Sequence, residues 1–435
     1  MKKANVFCKI VILFLLAVVF SCSQDPIFYT ISTEPVPQKP RIEGGPTNVV
    51  VFEREYDGVK VPIMYVASGR IHWYAREDKG AGASRWDTKE YNIPQPSGKI
   101  IGLAATDEHL YALCLVGRGV TTVLRRIGPA VNEEWQDIQI ETGIRYTSIQ
   151  SIYADKATGR LFAGVMSSSG IDYGILYLDD TTLRLLQIDT EMLSGLVSRQ
   201  EGASGIIHYL STRGRGVFMI AENAFSSSPR PADTDIVQLV DLENADKQDR
   251  LFMGLIKLED ESIIAVERNG GALFEVTKSG FTQKKNSNGD NITTGKFATG
   301  ALALWQQITF DDDGNPILEA GGRPPQSNPK MLIAGIQGGL YNTTTSSYTH
   351  GYVEFELTIG GALELTPTRS SISPNISVDG NTDRYTATIG KHPINYFYQT
   401  SSDIDLNMTF FASTQTAGLW SYRNRTEGWQ WNAEN

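Results

Sequence analysis

One pattern recurs along this chain and limits what it can fold into. A short apolar run is followed by a tight polar turn and then by a second strand-like run, often opening on Gly, an aliphatic residue and an aromatic one. It is plainest near the C-terminus, where MTFFASTQ (408–415) leads through a turn to GLWSYRN (418–424). The first run of each pair reads IMYVAS (63–68), LYALCLV (110–116), LFAGVMSS (161–168), IIHYLST (206–212), SIIAVER (262–268), MLIAGIQ (331–337) and MTFFASTQ. The second reads RIHWYARE (70–77), TTVLRRI (121–127), GILYLDD (174–180), GVFMIAE (216–222), ALFEVTK (272–278), GLYNTTT (339–345) and GLWSYRN. Ile71, Val123, Ile175, Val217, Leu273, Leu340 and Leu419 mark seven pairs, spaced by about 42 to about 79 residues.

A period of this order, carried by strands and glycine-bearing turns, is the signature of radial β-repeats. The central strands of such a repeat are covered on both faces, so they read as apolar runs rather than as clean alternation. Candidate inner strands precede each pair, among them KIIGLAA (99–105), SIQSIYA (148–154), SGLVSRQ (194–200) and INYFYQT (394–400). Candidate outer strands follow, such as EWQDIQI (134–140) and GWQWNA (428–433). The expected fold is all-β: a seven-bladed β-propeller with four antiparallel strands per blade over residues 47–435. Residues 345–392 look too long for an ordinary connection and are expected to form an insertion on the functional face.

The formal net charge is -10, with Lys and Arg scattered rather than gathered in a stripe. A phosphate backbone needs a basic stripe, so nucleic acid is not an expected partner. Of three cysteines, Cys8 and Cys22 lie in or at the end of the N-terminal stretch. Cys114 sits inside an apolar run, where a buried structural thiol is the ordinary reading.

The N-terminus opens with Lys2 and Lys3, followed by an unbroken apolar run from Ile10 to Phe20 and then Ser21-Cys22. The run is too short to span a bilayer as a helix, which takes about 20 residues. It resembles a bacterial lipoprotein signal, in which the cysteine is acylated after cleavage. Phe20 departs from the usual small residue, a looseness that spirochaete lipoproteins tolerate. The resemblance implies a signal peptide over 1–21, lipidation at Cys22 and a membrane anchor, since buried acyl chains contribute about 0.8 kcal/mol per CH₂. Residues 22–46, with Pro26, Pro35, Pro37, Pro40 and Pro46, read as an extended tether. Ser23 after the cysteine favours the outer membrane, facing either the periplasm or the surface.

No motif with strong catalytic specificity appears. Thr309 to Asn315 (TFDDDGN) has the look of a calcium loop, with Asp311 and Asp313 as ligand candidates. Thr309 stands where the first acid belongs, and Asp-Gly-Asn-Pro is a strong hairpin turn. The five histidines form no metal-binding spacing, and His72 and His208 are expected to be satisfied within strands. Arg118, Arg213, Arg215, Asn269 and Gln337 fall at the turns between the paired runs, on the presumed functional face, and are the candidate binding residues. Neither the Asp-box repeats of sialidases nor the Trp-docking repeats of quinone dehydrogenases are present, and no cofactor is expected. The repeats loosely resemble the non-catalytic propellers of bacterial envelope lipoproteins. That resemblance implies a binding or scaffolding module for a protein, peptide or glycan. The alternative is a hydrolase of glycans or lactone-like substrates, whose carboxylates would converge from different blades.

Overall fold

The computed structural model describes residues 42–68, 72–77, 86, 96–117, 121–202, 205–226, 231–232, 234–306, 317, 330–337, 350–357, 363–365, 389, 392–399, 409–425 and 428–434. Apart from two short 3-10 turns the elements in it are β-strands, and no helix among these residues is long and apolar enough to cross a membrane.

The strands form small antiparallel sheets in sequence order. The first holds β1 (Val50–Tyr56), β2 (Val59–Ser68) and β3 (His72–Glu77). Next come β4 (Lys99–Ala105), β5 (Leu110–Val116), β6 (Thr121–Ile127) and β7 (Gln136–Ile140), then β8 (Tyr146–Ala154), β9 (Leu161–Ser167), β10 (Tyr173–Asp179) and β11 (Thr182–Thr190). These two groups share one eight-stranded sheet, because the outer strands β7 and β11 pair in parallel at Thr182–Gln139 and Leu183–Ile140. Four four-stranded sheets follow. They are β12 (Leu193–Gln200), β13 (Ile206–Thr212), β14 (Val217–Ala221) and β15 (Ile236–Gln238); β16 (Phe252–Lys257), β17 (Ile263–Glu267), β18 (Leu273–Thr277) and β19 (Gly280–Gln283); β20 (Phe297–Gln306), β21 (Lys330–Gln337), β22 (Gly351–Leu357) and β23 (Leu363–Leu365); and β24 (Ile394–Gln399), β25 (Phe410–Thr414), β26 (Leu419–Arg425) and β27 (Gly428–Ala433). An all-β chain of many small antiparallel sheets is consistent with a β-propeller.

The second strands are the most covered. Leu110 to Cys114 of β5 and Phe410 to Thr414 of β25 are buried at every position. That is why these segments read as apolar runs. Apolar clusters fill the spaces between successive groups. Phe52, Tyr65 and Cys114 lie between β1–β3 and β4–β7, Phe162, Tyr177 and Leu210 between β8–β11 and β12–β15, and Phe252, Phe274 and Phe281 between β12–β15 and β16–β19. The three phenylalanines meet edge to face, with centroids 5.2 to 5.9 Å apart. Aromatic pairs in this geometry add about 0.5–1.5 kcal/mol beyond their area.

The first strands lie side by side in order: β1 with β4, then β8, β12, β16, β20 and β24. Hydroxyls lock several of these junctions. Ser151 donates to the Leu193 carbonyl at 2.8 Å, Ser194 to that of Phe252 at 2.7 Å, and Thr299 to that of Ile394.

The last sheet meets the first. Ile42, Val49, Met64, Val66 and Trp86 pack with Phe411 and Leu419. The backbone N–H of Gly418 bonds to the Gly44 carbonyl at 2.7 Å, and that of Leu419 to the Ile42 carbonyl at 3.1 Å. Residues 42–46, inside the stretch expected to be tether, therefore take part in the fold.

One strand differs from the sequence reading. The partner of β21 is β22 at 351–357, in register from Lys330–Leu357 to Ile336–Gly351, and not GLYNTTT at 339–345. GLYNTTT has the Gly-Leu-aromatic opening of the other second runs, and that likeness drew the assignment. GYVEFEL instead supplies Tyr352, Val353 and Phe355 to the core. The expected insertion over 345–392 thus contains the third and fourth strands of its sheet, β22 and β23. Residues 338–349 and 366–388 lie outside the described residues.

Candidate functional site

On one arc of first strands the backbones crowd together. An added Cβ at Gly254 in β16 would stand 2.6 Å from the carbonyl oxygen of Gly300 in β20, and one at Gly195 in β12 would stand 2.9 Å from the Leu255 nitrogen. On the other arc β24, β1, β4 and β8 line a cavity of about 420 Å³. Its apolar lining includes Val50, Val51, Ile101, Leu103, Leu113, Ile152 and Met192. Its polar lining is Asn48, Gln150, Ser151, Tyr153, Lys156, Arg213, Tyr396 and Tyr398.

Alternation puts the tyrosines there. Tyr396 and Tyr398 are two apart on β24, so both fall on one face. Tyr396 keeps 40% of its surface accessible, and it lines the cavity. Burial pushes the Tyr153 hydroxyl above the ordinary phenol range; Tyr396 adds to this and Arg213 opposes it. Tyr396 is raised by burial as well, again against Arg213. Both phenols are therefore protonated at neutral pH and stand as hydrogen-bond donors near a guanidinium.

Two of the other polar groups are committed to structure. The Asn48 amide donates to the Leu103 carbonyl at 2.8 Å and accepts from the Leu103 N–H at 3.2 Å, mimicking a strand pairing between β1 and β4. The Ser151 hydroxyl is spent on Leu193. Among the described residues the lining holds no Asp, Glu, His or Cys, and no three such residues anywhere are placed to hold a metal ion.

Among the described residues, Arg213 alone of the candidate binding residues reaches this cavity. It follows β13, with its backbone N–H bonded to the Met192 carbonyl at 2.9 Å. Arg215 is exposed, its Nη1 3.5 Å from Asp249 Oδ2. Asn269 is exposed in the turn between β17 and β18, and Gln337 is exposed at the end of β21. Arg118, the calcium candidates Asp311 and Asp313, and the lipidation candidate Cys22 lie outside the described residues. Tyr153, Tyr396 and Lys156 escaped notice because nothing local marks them. The one signal for the two tyrosines is their place within the candidate inner strands SIQSIYA and INYFYQT; Lys156 has none.

A second polar group lies between β8–β11 and β12–β15. His208 is fully buried against Phe162 and Phe225, with ring centroids 5.3 and 6.0 Å away. Its Nδ1 is 2.7 Å from Ser198 Oγ and its Nε2 is 2.7 Å from Glu222 Oε2. Arg160 holds Glu222 at 2.7 Å and stacks 4.4 Å over the Phe225 ring. Every polar atom of the imidazole is satisfied, as expected for a histidine that joins sheets.

No protein-family profile and no curated protein matches the chain. It is similar to solved structures at low identity. One is virginiamycin B lyase from Staphylococcus aureus, at 12% identity and a TM-score of 0.45, covering 88% of this chain and 96% of that one. Another is YCF48 from Cyanidioschyzon merolae, at 12% identity and 0.42, covering 89% and 97%. Nothing about activity carries across at this distance.

Proposed function

We propose that the chain is a lipid-anchored envelope protein whose seven-bladed β-propeller is a binding module for a peptide or glycan, with the cavity lined by β24, β1, β4 and β8 as the binding site. Reading the eight-stranded sheet as two blades joined at their outer edges supports a count of seven. Apolar clusters between each successive pair of groups, the last closing onto Ile42 and Val49, support the ring. The anchor rests on Lys2, Lys3, the apolar run to Phe20 and Cys22.

The observation that carries the binding role is the cavity wall. It offers cations, phenols and apolar surface, without a carboxylate among the described residues. A glycoside hydrolase of the common kind needs two carboxyl groups flanking the scissile bond. A wall of donors and apolar groups suits holding and orienting a ligand.

The test equilibrates the full chain, in detergent, with defined pools of envelope peptides and oligosaccharides, and follows every species by mass spectrometry. The expected result is depletion of intact species that are released unchanged on denaturation. Accumulation of a cleaved or rearranged product would overturn the binding role. Metabolic labelling with a radioactive fatty acid checks the anchor, with loss of label expected in Cys22→Ala.

A further inference from the structure

The charges in the cavity are unbalanced. Arg213 and Lys156 both line it, and neither forms an ion pair among the described residues. Arg160, Arg199, Arg215 and Arg250, on neighbouring turns and strands, each have a carboxylate partner. Both residues are exposed at the cavity, so water meets their charge in the free protein, and a ligand anion can take the place of that water in charge-assisted hydrogen bonds.

The hydrogen-bonding capacity is equally one-sided. Asn48 and Ser151 are committed to the Leu103 and Leu193 backbones, and the Gln150 amide nitrogen donates to Ser148 Oγ at 2.7 Å. What remains open is Arg213, Lys156, the phenols Tyr153 and Tyr396, and the second N–H and Oε1 of Gln150, a set in which donors outnumber acceptors. Its complement is an acceptor-rich anion. The volume of about 420 Å³ far exceeds what a bare inorganic anion fills, and much of the remaining wall is aliphatic. Cavities of roughly 300 Å³ and more hold organic molecules whose apolar body fills the space while a few polar groups orient it. A single guanidinium fork matches the two oxygens of a carboxylate.

We infer that the cavity recognises a carboxylate joined to an apolar or aromatic body, with Arg213 and Lys156 as the counter-charge and the Tyr153 and Tyr396 hydroxyls as donors. This rests on the cavity being the binding site proposed above. A free organic acid and the C-terminus of a peptide both present this chemistry.

Isothermal titration of the full chain in detergent tests it, using matched neutral and anionic probes. The probes are phenylacetate against phenylacetamide, a tripeptide ending in phenylalanine as free acid against its C-terminal amide, and inorganic phosphate. Each acid is expected to bind at least about tenfold tighter than its amide, and phosphate not to compete. Arg213→Gln is expected to erase the preference with the thermal midpoint unchanged, and Lys156→Gln to reduce it several-fold. The tighter of the two acids identifies the source. Equal binding of acid and amide, tight binding of phosphate alone, no binding by either acid, or an undiminished preference in both folded variants would each overturn the inference. Turnover in the envelope pools would sink the binding role instead, and leaves these charge preferences readable on their own.

Discussion

The Ser413 hydroxyl donates to the backbone carbonyl of Thr47 at 2.8 Å, across 366 positions of sequence, and both residues are buried. The bond belongs to the same class as Ser151 to Leu193 and Ser194 to Phe252, but it joins the last sheet to the first. Around it, Trp86 Nε1 donates to Glu434 Oε2 at 2.7 Å, and Ser421 also bonds to Glu434. The two ends of the fold are thus held by side chains as well as by the backbone pairing of Gly44 with Gly418.

Ser413→Ala leaves the Thr47 carbonyl buried without that partner. The expected cost is about 1–3 kcal/mol, the range for orphaning a buried polar group. Ser151→Ala should cost a similar amount at an interior junction. Urea midpoints at equal slope give the comparison. A Ser413→Ala midpoint indistinguishable from that of the parent chain would mean that this closure contributes nothing.

The group formed by Ser198, His208, Glu222 and Arg160 makes stability depend on acid. Burial alone would raise the Glu222 carboxyl. Hydrogen bonds from His208 and Arg160, with the Arg160 charge, outweigh it, and the net shift is downward. A carboxyl with a lowered folded pKa contributes stability that is fully present above its unfolded value, about 4.5, and is lost as pH falls through the folded value. The stability difference between the parent and Glu222→Gln should therefore be constant near neutrality and shrink below about pH 4.5. A pH-independent difference would count against the charge-assisted bonds. His208→Ala removes a buried ring and takes one hydrogen-bond partner from Ser198 and one from Glu222, which keeps Arg160, for an expected loss of about 3–5 kcal/mol.

Much of the fold was legible because its strands are local and repeated. LYALCLV and TTVLRRI coincide with β5 and β6, and KIIGLAA with β4. A strand covered on both faces leaves an apolar run, and a hairpin leaves a turn, so each pair could be read without knowing its neighbours. Reading failed where likeness stood in for register. GLYNTTT has the expected opening, but GYVEFEL makes the ladder with β21. The cavity was illegible for a different reason. Tyr153, Arg213 and Tyr396 come from three separate sheets, and only the ordering of those sheets brings them to one space. Nothing in the residues beside any of them records that meeting.

The crowded arc makes its own prediction. Gly254→Ala would press a methyl against the Gly300 carbonyl, a backbone atom that cannot turn aside. Overpacking of this kind costs about 1–3 kcal/mol or more. Gly254→Ala should lower the thermal midpoint by several degrees, whereas Gly58→Ala, with nothing within 4 Å of the added carbon, should show only the smaller strain of a positive φ of 79°. Equal effects at both positions would show that the close approach of β16 and β20 does not constrain the fold.

Cys114 offers a reporter for opening between β1–β3 and β4–β7. Its side chain is fully buried in the cluster with Phe52, Ile63 and Tyr65. Burial pushes the thiol up to about 11; the nearby Arg125 opposes the rise and Asp137 adds to it. A thiol that is both inaccessible and protonated is a poor nucleophile. At pH 8 Cys114 of the folded chain should react with a disulfide reagent orders of magnitude more slowly than Cys114 of the chain in denaturant. Reaction of the native state then measures opening of these sheets. Ser413→Ala, which loosens the junction between β24–β27 and the segment leading into β1, should accelerate labelling of Cys114 by as much as it lowers stability if the sheets open as one unit. If the two sheets separate independently of that closure, Ser413→Ala leaves the labelling rate unchanged while the urea midpoint falls.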